Sequence, residues 1–219
     1  MFAGAPKTPP YCFPSETGTL QEVERTPASP YFVHHPKADS TDPPTVIFLP
    51  GGSGSRRSAQ RVWSNYLSEG VGVEAFRLVV PYSLDEVGSE TQTVLAVLDE
   101  VLACYGGGAA KVHLAGVSNG GLAAFAVMLR HAERFATLLG APGLFRIDDP
   151  AKWANAMGGR AVFNGVGAND DGWMPDVKAM HDGLLAEGVE SVYVEFAGEG
   201  HTVGAEFDES VFFRFWTEH

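Results

Sequence analysis

Lys111-Val112-His113-Leu114-Ala115-Gly116-Val117-Ser118-Asn119-Gly120-Gly121, followed by Leu122-Ala123-Ala124-Phe125-Ala126-Val127-Met128-Leu129-Arg130, decides how the rest of the chain is understood. Residues 111–115 predict a buried strand and residues 122–130 an apolar helix. The turn between them is Gly-x-Ser-x-Gly, the strand–turn–helix context that a nucleophile elbow requires. Bulk at Gly116 or Gly120 would collide with neighbouring backbone in so sharp a turn. Ser118 is lifted clear of the sheet, and the Ser118 and Asn119 N–H groups lie at a helix N-terminus, where negative charge is stabilised. The pentapeptide alone is weak evidence, because a glycine-rich turn with an incidental serine is common. The flanking strand and helix favour the catalytic alternative, which then needs a base, an acid and an oxyanion site elsewhere in the chain.

Outward from the elbow, strands are expected at 45–49, 76–80, 137–140, 160–167 and 191–196. Helices are expected at 60–67, 90–105, 175–186 and 207–216, and Asp148-Asp149-Pro150 can start a short helix containing Trp153. In the helix at 60–67, Trp63, Tyr66 and Leu67 are expected to face inward. Alternation of strands with helices predicts a mostly parallel sheet covered on both faces, in which ligands bind at the carboxyl ends of the strands. Residues 20–24 are expected as an edge strand paired with 31–35. His34 and His35 then point to opposite faces, a poor metal-ligand geometry, and are expected at the surface or an edge. Residues 1–18 carry Pro6, Pro9, Pro10 and Pro14 and are expected to form an irregular arm, with residues 19–219 as one domain.

Composition limits the alternatives. The chain has 219 residues, 45% hydrophobic and 19% charged, which suits one α/β domain with a full core. A net charge of −12 argues against nucleic acid or an anionic membrane surface as partner. No stretch has the length of a membrane-spanning helix. The N-terminus lacks the basic start and apolar core of a signal peptide, so a cytoplasmic location is the expectation. Two cysteines do not make a disulfide framework: Cys104 is expected to be a core thiol, and Cys12, in the Pro-rich arm, can be free. No cysteine–histidine cluster suggests zinc, and no cofactor is expected.

The loops after the strands hold the remaining chemistry. Pro50-Gly51-Gly52-Ser53-Gly54 follows the first buried strand. It lacks the phosphate-loop pattern, and its small residues let backbone approach a reacting carbonyl, so Gly52 or Ser53 is expected to join Asn119 as an oxyanion donor. Ala168-Asn169-Asp170-Asp171 follows the 160–167 strand. One of the two aspartates is expected to orient a histidine while the other caps a helix or faces solvent, with Asp170 the better candidate. Gly198-Glu199-Gly200-His201-Thr202 follows the last strand, and His201 lies downstream of both serine and acid. His113, inside a strand, and His131 and His181, on helices, fit the role of base less well. Tyr82, Leu144, Phe145, Trp173 and Met174 fall near strand ends and either line an apolar substrate pocket or pack helices onto the sheet.

These segments resemble the α/β-hydrolase superfamily, and within it small serine esterases: carboxylesterases and acyl-thioesterases, dienelactone hydrolase-like and polyhydroxyalkanoate-depolymerase-like enzymes. The likeness rests on residues 50–54, 116–121, 167–171 and 200–201, in that order, from about Thr45 to the C-terminus. It implies a Ser118–His201–Asp170 triad, the acid being the fourth residue of Gly167-Ala168-Asn169-Asp170. Pro50 stands where many relatives have histidine, which leaves the subfamily open. A serine nucleophile disfavours dienelactone hydrolases proper and dehalogenases, and residues 145–160 are too few for a large cap. The resemblance implies an open site cleaving small-molecule carboxylic esters, short-chain or aryl ones first. Thioesterase, amidase or peptidase action with the same triad, or a non-catalytic binding protein on this fold, are the alternatives.

Overall fold

The structure, a computed structural model, describes residues 12, 14–24, 26–37, 42–68, 75–83, 90–108, 111–146 and 148–219. Most of the Pro-rich arm, including Pro6, Pro9 and Pro10, lies outside the described residues.

Eight strands form one sheet: β1 (Leu20–Val23), β2 (Tyr31–His34), β3 (Thr45–Leu49), β4 (Arg77–Pro81), β5 (Val112–Gly116), β6 (Thr137–Gly140), β7 (Val162–Gly167) and β8 (Ser191–Phe196). Their spatial order is β1-β2-β4-β3-β5-β6-β7-β8. β1 and β2 pair antiparallel, as do β2 and β4, and every other neighbouring pair is parallel. The helices are α1 (Arg56–Val62), which runs on into a π-helical turn (Trp63–Leu67), then α2 (Glu90–Tyr105), α3 (Asn119–His131), α4 (Pro150–Met157), α5 (Met174–Ala186) and α6 (Ser210–Glu218).

Strand periodicity builds two cores. In β3, Ile47 and Leu49 face one side of the sheet, against residues of α2, α3, α4 and α5. Val46 and Phe48 face the other, against α1, the π-turn and α6. The five residues of β3 are all buried, the near-continuous apolar run expected of a strand covered on both faces. The chain passes from β3 to β4 on one side and then to β5 on the other. The strand order therefore reverses beside β3, the position where sheets of this class hold ligands. The loops after β3 and β5 meet there.

Three expectations are corrected. His34 and His35 are buried, not at the surface, each about 4% exposed. β2 lies between β1 and β4, so helical residues cover both faces: His34 packs on Trp63 and His35 edge-on to Tyr105. Cys12 and Cys104 are not free. They form a disulfide that ties the arm to α2 across 92 residues of chain. The expected helix at 60–67 begins four residues earlier, where the Ser55 hydroxyl accepts from the Ser58 N–H and caps it.

Candidate active site

The elbow is built by close backbone approaches. A Cβ on Gly116 would lie 2.2 Å from the Gly120 carbonyl oxygen, and one on Gly120 2.2 Å from the Leu49 oxygen. Only glycine lets strand, turn and helix come this near. Ser118 itself adopts φ 58°, ψ −122°, a backbone conformation that non-glycine residues hold only when their surroundings enforce it. Here the enforcement is visible. The Ser118 N–H donates to the Pro142 oxygen at 2.8 Å, and the Leu122 N–H to the Ser118 oxygen at 2.9 Å.

The loops after β7 and β8 are joined in the same manner. A Cβ on Gly167 would lie 2.0 Å from the Gly200 oxygen. The Ala168 N–H donates to Phe196 and the Asn169 N–H to Glu199, at 3.0 and 2.9 Å. This contact carries Asp170 to His201. His201 Nδ1 lies 2.8 Å from Asp170 Oδ2, and His201 Nε2 lies 2.8 Å from Ser118 Oγ. An ionised carboxylate can only accept, so Nδ1 carries the proton and Nε2 of the neutral ring is free to accept from the serine hydroxyl. Asp170 is 7% exposed, while its neighbour Asp171 faces solvent. The Asp170 backbone carbonyl accepts from the N–H groups of Trp173, the residue before α5, and Met174, its first residue, and no side-chain bond caps the helix. The Asp170 carboxylate is therefore not needed as a cap.

The loop after β3 closes against the elbow. A Cβ on Gly51 would lie 2.9 Å from the Val117 oxygen and 3.2 Å from Ser118 Cβ. The Asn119 side-chain amide donates to the Gly52 oxygen at 2.9 Å and ties the loop to the elbow.

Ser118 and His201 open into a cleft of about 520 Å³. Gly51, Gly52, Val117 and Thr202 line it with them, as do Ser58, Arg61, Val62, Asn65 and Tyr66 from α1 and the π-turn. None of Tyr82, Leu144, Phe145, Trp173 and Met174 is among the lining residues. Tyr82 packs on Phe32 and donates to Glu22, and Phe145 is held between Phe125 and Trp153. Leu144 packs against the same core as Phe145, and Met174 opens α5 half-buried. Trp173 alone comes near, its ring centred 5.3 Å from that of His201. The sequence reading missed the wall from α1 and the π-turn. A signal was present: Ser58, Arg61 or Val62, and Asn65 recur at helical spacing on one face.

No protein-family model matches this sequence, and no curated protein matches it. Solved structures do. A feruloyl esterase module from Clostridium thermocellum, a serine-to-alanine mutant complexed with sinapinate, superposes with a TM-score of 0.71 at 14% identity, covering 95% of this chain and 90% of that one. An S-formylglutathione hydrolase from Staphylococcus aureus gives 0.67 at 14% identity, covering 91% and 97%. A puromycin-hydrolyzing peptidase from Mycobacterium tuberculosis gives 0.62 at 15% identity, over 91% of this chain and 39% of that one. The fold is that of the α/β-hydrolases, with no large cap among the described residues.

Proposed function

We propose that this protein is a serine hydrolase that cleaves carboxylic esters through an acyl-enzyme on Ser118. The observation that carries this is the unbroken chain of two 2.8 Å contacts from Ser118 Oγ through His201 to a buried Asp170. In the first half-reaction His201 Nε2 takes the Ser118 proton as Oγ bonds to the ester carbonyl carbon. The imidazolium, held by Asp170, then gives that proton to the departing alcohol oxygen as the C–O bond breaks. Water repeats the sequence on the acyl-enzyme, releasing the acid and restoring Ser118.

The oxyanion is assigned to the Asn119 and Gly52 N–H groups. Gly52 is favoured over Ser53 because of the bond from Asn119 to the Gly52 oxygen. In a trans peptide the following N–H points opposite to that oxygen, so Ser53 N–H is turned away from the elbow. Short-chain and aryl esters fit an open cleft of this size. The disulfide favours an oxidising compartment over the cytoplasmic location that the sequence alone suggested. Among the described residues no helix is long and apolar enough to cross a membrane.

The test is a panel of p-nitrophenyl esters, thioesters and p-nitroanilides with wild type and Ser118→Ala. Ester turnover that Ser118→Ala lowers by at least about a thousandfold is the expected result. Equal turnover by the two proteins, or turnover of anilides alone, overturns the proposal.

A further inference from the structure

The chain holds 15 Lys and Arg against 27 Asp and Glu, and several of the described cations are paired with carboxylates. Arg56 pairs with Glu22, Lys111 with Asp42 and Arg134 with Asp99. Arg61, like Arg57 and Arg146, has no ion pair and no side-chain hydrogen bond among the described residues. Yet it is the one formally charged side chain among the described residues lining the Ser118 cleft. It also lines a second depression of about 440 Å³, with Trp63 and Phe32, where Arg57 adds another cation. No described residue lining either depression is acidic. The nearby carboxylates are engaged elsewhere. Glu22 is held by Arg56 and Tyr82, Glu199 accepts from the Gly204 N–H, and Asp170 holds His201.

We infer that Arg61 selects ester substrates that also carry a carboxylate. This rests on the esterase reading of the Ser118 cleft and narrows it to a substrate class. The warrant is electrostatic and geometric. A guanidinium presents a planar fork that matches a carboxylate, and it stays charged at any working pH. The charge of the whole chain repels anions, but that field is screened beyond roughly 8–10 Å at physiological salt. Within that distance the local cations of α1 dominate. A neutral substrate leaves Arg61 merely hydrated, whereas a monoanion gains one charge-assisted contact from a residue that lines the Ser118 cleft.

The experiment uses two matched pairs of esters. Mono-p-nitrophenyl adipate against p-nitrophenyl hexanoate places the carboxylate on the acyl side. 4-Acetoxybenzoate against its methyl ester places it on the alcohol side. The quantity measured is the anionic-to-neutral ratio of kcat/KM, compared between wild type and Arg61→Gln, so that intrinsic reactivity cancels. We expect the ratio to fall by about tenfold in at least one pair, the size of one partly solvated charge-assisted bond. Arg61→Lys is expected to keep part of it, and raised salt to shrink the wild-type preference. Ratios that agree within about twofold for both pairs, while Ser118-dependent turnover persists, overturn the assignment of Arg61 and leave the esterase reading standing. Failure of the wild type to cleave any of the four esters overturns both.

Discussion

Ser118 has its strained backbone because the residues on either side leave no other path. Gly116 and Gly120 let two carbonyl oxygens approach to within a distance that excludes a methyl group. Both requirements follow from the five-residue turn, so they were legible in the sequence. Asp170 and Asp171 are also distinguished at this scale. Asp170 is buried and bonded to His201, and Asp171 is exposed. Asp170→Asn is expected to lower kcat by roughly 10³- to 10⁴-fold, by spoiling the tautomer and the support of the imidazolium. Asp171→Asn is expected to stay within about threefold. A larger loss at Asp171, in steady-state kinetics on one ester, would move the acid by one residue. The fate of the apolar residues at strand ends was not legible in the same way. Large apolar residues at strand ends look alike whether they face a ligand or a helix, and here Tyr82 and Phe145 pack inside. Their burial is decided by neighbours distant in sequence.

Among the elements, the π-helical turn after α1 has a task beyond covering the sheet. Asn65 Nδ2 donates to the Val203 carbonyl at 3.0 Å, and the Val203 N–H donates to the Tyr66 hydroxyl at 3.3 Å. Two consecutive side chains thus hold both backbone polar groups of a residue two positions after His201. The wider turn of a π-segment is a recurrent feature of functional sites. Tyr66→Phe leaves the Val203 N–H without its partner, and Asn65→Ala does the same to the carbonyl. Either change is expected to lower kcat by about tenfold or more by displacing the histidine, and to change KM as well because both side chains line the cleft. An unchanged kcat in both variants would leave the pair with a purely structural role. Strands β3 to β8 and their helices were legible because apolar runs and helical spacing survive in a single sequence. The π-turn was not, since nothing in Trp63-Ser64-Asn65-Tyr66-Leu67 distinguishes it from an ordinary α-helix. The interior position of β2 was not legible either, because it depends on pairing with β4, 44 residues or more away.

For the molecule as a whole, two features set stability. The Cys12–Cys104 link closes a chain segment of 92 residues. Restricting the unfolded chain over that length is worth about 4–5 kcal/mol in the entropy model, an upper figure for engineered cases. Cys12→Ser with Cys104→Ser, or reduction of the wild type, is expected to lower the denaturation midpoint by about 2–4 kcal/mol of stability. A midpoint insensitive to reductant would show that the link contributes nothing. Two isolated cysteines did not announce this pairing, because pairing depends on where the fold brings them. The second feature is a set of buried neutral histidines. Burial, with the nearby Arg77 and His34, lowers His35 to about 4; burial and His219 lower His113 to about 4. Unfolded histidine takes up its proton near 6.5. Between pH 6.5 and 4 the unfolded state therefore binds more protons, and stability falls as pH falls through that window. Each group contributes at most roughly 3 kcal/mol, fully present above pH 6.5. Urea midpoints are expected to be flat from pH 7 to 8 and to drop steadily from 6.5 to 4.5. A flat profile across the lower range would contradict this.

Position in the sheet gives the catalytic groups unequal protection. Ser118 follows β5, which has neighbours on both sides, whereas His201 follows β8, the last strand, whose residues are mostly half-buried. Amides of central strands exchange with solvent only on near-global opening, while an edge strand and its loop open at lower free energy. As conditions harshen, the loop that carries His201 is therefore expected to open before the strands around Ser118. Turnover that depends on both residues is then expected to end before the fold does.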